Sequence, residues 1–85
     1  MPYIADKSKR FVIRHKVHEL NRLLTNWGDL NYAITKLVMH RWWNKRRYTT
    51  IVGVMGTLLC VALEFYRRVA APYEDKKKEE NGDVF

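Results

Sequence analysis

Tyr48-Thr-Thr-Ile-Val-Gly-Val-Met-Gly-Thr-Leu-Leu-Cys-Val-Ala-Leu-Glu-Phe-Tyr-Arg-Arg-Val-Ala-Ala71, followed by Pro72, is the stretch on which the fold turns. Ile51 to Leu63 carries no charge, and the segment closes on the polar-aromatic group Glu64-Phe65-Tyr66-Arg67-Arg68. Thr49 or Thr50 is a suitable N-cap. Pro72 cannot donate to a helix and restricts the residue before it, so a stop near Ala71 is expected. A helix of that extent runs about 33 Å and is too apolar all round for an ordinary surface helix. Gly53, Gly56, Thr57 and Cys60 make a strip of small residues, while Val52, Met55, Leu59, Leu63 and Tyr66 make a bulky one. Glycine inside a helix costs about 1 kcal/mol relative to alanine, so the small strip predicts close approach of another backbone.

Working outward, residues 1–9 read as an N-terminal arm, with Pro2 near its start and Ser8 as a cap. From Lys9 to about Leu24, Ile13, Val17, Leu20 and Leu24 fall at helical spacing, widened by Phe11 and Leu23. Thr25-Asn26-Trp27-Gly28 reads as a connector in which Gly28 supplies positive φ. A second helix begins at Asp29, with Leu30, Ala33, Ile34, Leu37 and Val38 on its apolar side. It should fray across Trp42 to Arg47. Residues 72–85 form a charged tail holding a helical turn or two, with Val84 and Phe85 as an apolar anchor. The expected fold is all-α: a hairpin or bundle of three main helices within residues 10–71, oligomerised through the long apolar third one.

Two short amphipathic helices cannot wrap the whole third helix. Burying four more large side chains is worth roughly 6–12 kcal/mol, comparable to a domain's total stability, so self-association is expected. A membrane span is the competing reading. The charge-free core Ile51–Leu63 has 13 residues, 15 with the two threonines before it, and falls short of the ~20 that spanning requires, so a membrane partner is not expected.

The 85 residues carry a net charge of +7, unevenly spread. Residues 1–68 hold 13 Lys/Arg against 4 Asp/Glu, a net +9, and residues 69–85 hold 3 against 5, a net −2. A basic body suggests an anionic partner: nucleic acid, nucleotide, phosphate or a membrane surface. Cys60 alone makes no internal disulfide, which fits a reducing cytoplasm. No apolar signal-peptide core is read in Met1 to Lys7.

Catalysis lacks candidates. Ser8 and Cys60 have no paired histidine, Gly53-Val-Met-Gly56 is mid-helix and not a phosphate loop, and Glu64 with Glu74 makes a weak carboxylate pair. His15, His18 and Glu19 lack a third metal ligand of fitting spacing. No enzyme, cofactor or metal site is expected. Two binding surfaces remain. In Arg41-Trp42-Trp43-Asn44-Lys45-Arg46-Arg47-Tyr48, cations suit phosphate and indoles suit base stacking, which makes DNA or RNA binding one reading. In the other, Glu64 pairs with Arg68 at i, i+4, leaving Arg67 to meet phosphate while Tyr73 stacks on a base. Asn31 and Thr35, one turn apart and beside Tyr32, would read the polar edges of such a ligand.

Met1-Pro-Tyr-Ile4, Gly28-Asp-Leu-Asn-Tyr-Ala-Ile-Thr35, Glu64-Phe-Tyr-Arg-Arg68, Pro72-Tyr-Glu-Asp-Lys76 and Asn81-Gly-Asp-Val84 resemble a family of small proteins encoded by tailed bacteriophages. The resemblance spans nearly the whole chain, which departs from the family by being more apolar from Met55 to Ala62. It implies a phage accessory role in the cytoplasm of an infected bacterium. Small, basic, oligomeric phage proteins include sponges that sequester nucleotide immune signals of the host. A sponge needs cations, stacking aromatics and an intersubunit pocket, and no catalytic group. The class-level expectation is an anionic nucleotide ligand; nucleic-acid binding or inhibition of a host protein are the alternatives.

Overall fold

The computed structural model describes residues 4–83. Four α-helices follow one another: α1 (Lys7–Asn21), α2 (Trp27–Asn44), α3 (Tyr48–Phe65) and α4 (Ala71–Asn81), with a π-helical turn at Tyr66–Ala70 between the last two. There is no strand among the described residues. Because α3, the π turn and α4 form one helical run, Tyr48–Asn81, the chain is all-α with three main helices, as its periodicity predicts. Two compact units divide it, one within Pro2–Ile51 and the other within Val52–Phe85.

In the first unit, the side chain of Asp6, not of Ser8, caps α1, accepting from the backbone N–H groups of Ser8 (2.9 Å) and Lys9 (3.2 Å). The helix thus starts inside the expected arm. Asn26 caps α2 through the N–H of Asp29 at 2.8 Å, which draws Trp27 and Gly28 out of the connector and into the first turn. Gly28 has no positive φ; among the described residues only Gly82 does, at 81°. Asp29 turns back onto the connector, accepting from the N–H of Thr25 at 2.9 Å and its hydroxyl at 3.0 Å. Those two bonds, backbone first, hold its carboxyl below the ordinary aspartate value. Beyond Asn44, the Arg47 carbonyl accepts from the N–H groups of Thr50 (3.0 Å) and Ile51 (3.2 Å), so Thr49 and Thr50 lie within α3 and do not cap it.

In the second unit, the expected stop before Pro72 does not occur. Proline lacks the N–H that would meet the Arg68 carbonyl, and its ring crowds that oxygen. The chain answers by widening the turn just ahead: the Ala71 N–H reaches back to the carbonyl of Tyr66, five residues away. With the strain absorbed, helix continues to Asn81 and ends where the Gly82 N–H donates to the Lys78 carbonyl at 2.8 Å. The tail expected from residue 72 is therefore three turns of helix. The Val84–Phe85 anchor and the start of the arm at Pro2 lie outside the described residues.

No described residue is buried. On α3, Met55 (63% exposed) and Leu59 (61%) stand open on one face and Val61 (59%) on another, and a Cβ added to Gly53 or Gly56 would meet no atom within 4 Å. Among the described residues nothing packs against the two interior glycines. By length and composition, the Tyr48–Asn81 run is also apolar enough to cross a membrane, with a mean hydropathy of 1.7 over 18 residues.

Candidate anion-binding surfaces

The first surface grows from the end of α3. Spacings of three and four residues put Arg67 and Arg68 on the same side as Glu64, and both guanidinium groups donate to one oxygen, Glu64 Oε1. The Arg67 Nη2 contact is 2.8 Å. The two cations, Arg68 first, hold the Glu64 carboxyl below its ordinary value. Arg67 is thus engaged together with Arg68, contrary to the reading that one arginine pairs and the other acts elsewhere. One carboxylate against two guanidinium groups leaves the cluster a net +1. The Tyr66 hydroxyl donates to Glu74 Oε2 at 3.2 Å, spanning the π turn, and the Glu74 charge raises its pKa. Glu64 and Glu74 are accordingly committed to different partners and do not form a carboxylate pair. Tyr73 is exposed, with the Lys77 ammonium 5.7 Å from its ring centroid.

Asn31, Tyr32 and Thr35 stand on α2, in the other unit. The Thr35 hydroxyl donates to the Asn31 carbonyl at 2.8 Å, an ordinary back-bond of a mid-helix threonine. Tyr32 carries Lys36 above its ring at 5.5 Å and borders an open, mainly apolar groove lined by Leu20, Leu23, Leu24 and Leu37. Sequence reasoning missed this groove, although its leucines are those that mark the two apolar helix faces.

The second surface is the turn from α2 into α3. Trp42 is half-buried, whereas Trp43 and Tyr48 are exposed. The Arg46 guanidinium lies over the Trp43 ring, its Cζ 4.0 Å from the centroid. Close turns draw the backbone of these residues together: the Lys45 N–H donates to the Arg41 carbonyl and the Arg47 N–H to the Lys45 carbonyl. From Leu30 to Leu63 the sequence has no Asp or Glu. Among the described residues no ion pair involves Arg41, Lys45, Arg46 or Arg47. The two surfaces differ in this: the guanidinium groups at 67 and 68 are answered by a carboxylate, and the cations at 41–47 are not.

The family described as Domain of unknown function (DUF6899) matches over residues 1–84. The chain belongs to that family. No curated protein and no solved structure matches it. Membership supplies a boundary and no chemistry, so the side chains themselves carry the functional argument. His15 Nε2 lies 2.8 Å from Glu19 Oε1, and no group of three His, Cys, Asp or Glu side chains suited to a metal occurs among the described residues.

Proposed function

We propose that this chain is a noncatalytic phage accessory protein that self-assembles through α3 and holds an anionic nucleotide-type ligand, sequestering a host immune signal. The observation that carries the proposal is the junction at the end of α3. A helix with no buried residue, half-covered along Thr50, Val54 and Leu58 and exposed at Val52, Met55, Leu59 and Leu63, runs directly into the Glu64–Arg67–Arg68 cluster. Assembly along α3 covers the apolar faces, and each added copy brings a further net positive charge beside its neighbours. A phosphate brings more charge and more acceptor oxygens than the single Glu64 Oε1 that takes both guanidinium groups. A ligand phosphate therefore displaces the Glu64 carboxylate favourably, with Tyr73 offering a face for its base.

Light scattering in detergent-free buffer and calorimetry with cyclic dinucleotides and ADP-ribose derivatives test the two halves. A defined oligomer that takes up one of these ligands, less tightly after Arg67→Ala, supports the proposal. A folded monomer at micromolar concentration removes the assembly, and a requirement for detergent replaces it with a membrane span. An oligomer that ignores every nucleotide removes the ligand and favours a host protein as partner.

A further inference from the structure

We infer that the α2–α3 turn is a separate binding site for single-stranded nucleic acid, built from Arg41, Trp43, Lys45, Arg46, Arg47 and Tyr48. It is independent of the nucleotide reading at Arg67 and Arg68. Four cations within seven residues, none in an ion pair among the described residues, concentrate positive charge with no carboxylate to displace. Such a group attracts a polyanion and gains by releasing its counterions. The aromatic side chains add what simple charge does not. Trp43 is still 57% exposed with Arg46 stacked on it, and Tyr48 is 78% exposed, so each keeps open ring surface for a base. Arg46 adds its cation–π contact to such a stack and places a donor fork for phosphate beside it.

A single strand is favoured over a duplex because these rings flank the turn, Trp43 at the end of α2 and Tyr48 at the start of α3, and need unstacked bases to meet. The same cations and aromatic rings also suit a lipid headgroup layer, which the experiment separates from nucleic acid.

Fluorescence anisotropy with a labelled oligo-dT of twelve nucleotides reads the site directly. Binding should fall with salt at a log–log slope of about −2 to −3, as three or four phosphates are neutralised at roughly 0.7 each. Trp43→Ala should weaken it by about fivefold to a hundredfold, and Trp43→Phe, which keeps a π face, by less. Arg46→Lys, which keeps the charge and loses the planar stack, should fall between wild type and Arg46→Ala. Lys77→Ala, which removes a cation that is not part of the site, should leave affinity within about twofold, showing that net charge is not the cause. Far-UV circular dichroism verifies that each variant keeps its helix. Three results overturn the inference: no binding at low salt, binding insensitive to both Trp43→Ala and Arg46→Ala, or stronger binding to phosphatidylserine vesicles than to oligo-dT.

Discussion

Replacing Gly56 by leucine tests the self-assembly of α3 without disturbing the chain that assembles. A Cβ at Gly56 meets no atom within 4 Å, so the new side chain enters open space in the isolated protein. Removing a glycine from a helix interior should also stabilise that helix by about 0.8–1 kcal/mol. On intrachain grounds Gly56→Leu is neutral or favourable, and circular dichroism should show equal or greater helicity. If a second α3 packs on the strip of Gly53, Gly56 and Cys60, the leucine instead forces the backbones apart. Overpacking of that kind costs about 1–3 kcal/mol, and each 1.4 kcal/mol is tenfold in a dissociation constant. The oligomer should weaken by about fivefold to more than a hundredfold, read by sedimentation velocity across a concentration series. An unchanged sedimentation profile with intact helix would refute packing through this strip.

Arg67→Ala should lower nucleotide affinity by about tenfold to a hundredfold in calorimetry, since one charge-assisted contact is lost. Asn26→Ala removes the side chain that caps α2 and should destabilise that helix by about 0.5–2 kcal/mol in urea titrations, while Asn26→Gly should cost only tenths. Glu64 and Asp29 both have depressed pKa values, so the stability they contribute is present above the ordinary carboxyl range. It is lost as pH falls through their lower folded values, and helicity should hold from neutral pH down to about pH 5 and decline below pH 4. Pro72→Ala restores an N–H facing the Arg68 carbonyl and should let the π turn relax toward α geometry, seen as slower amide exchange at residue 72 than at its exposed neighbours.

The helical content was legible because the apolar residues repeat at helical spacing, from Ile13 to Leu24 and from Leu30 to Val38. Boundaries were harder to read, since they depend on which of several polar side chains takes the cap. Asp6 precedes Ser8, and Asn26 precedes Asp29; in each pair the earlier residue reaches the open N–H groups and lengthens the helix. Pro72 misled most, because a proline normally ends a helix unless the preceding turn widens, and nothing in Tyr66 to Ala70 announces a π turn. At the candidate site, the Glu64–Arg68 pair followed from its spacing. The capture of Arg67 by the same oxygen did not, because i+3 and i+4 partners compete and only coordinates show them sharing. The stack of Arg46 on Trp43 was hidden for a similar reason, being made where the regular helix has already ended.

Native mass spectrometry on protein purified from cells without detergent weighs assembly and ligand in one spectrum. The proposed function predicts a single multiple of the 10.2 kDa chain, heavier by the mass of a retained nucleotide that dissociates on activation. A bare 10.2 kDa species at micromolar concentration would contradict it.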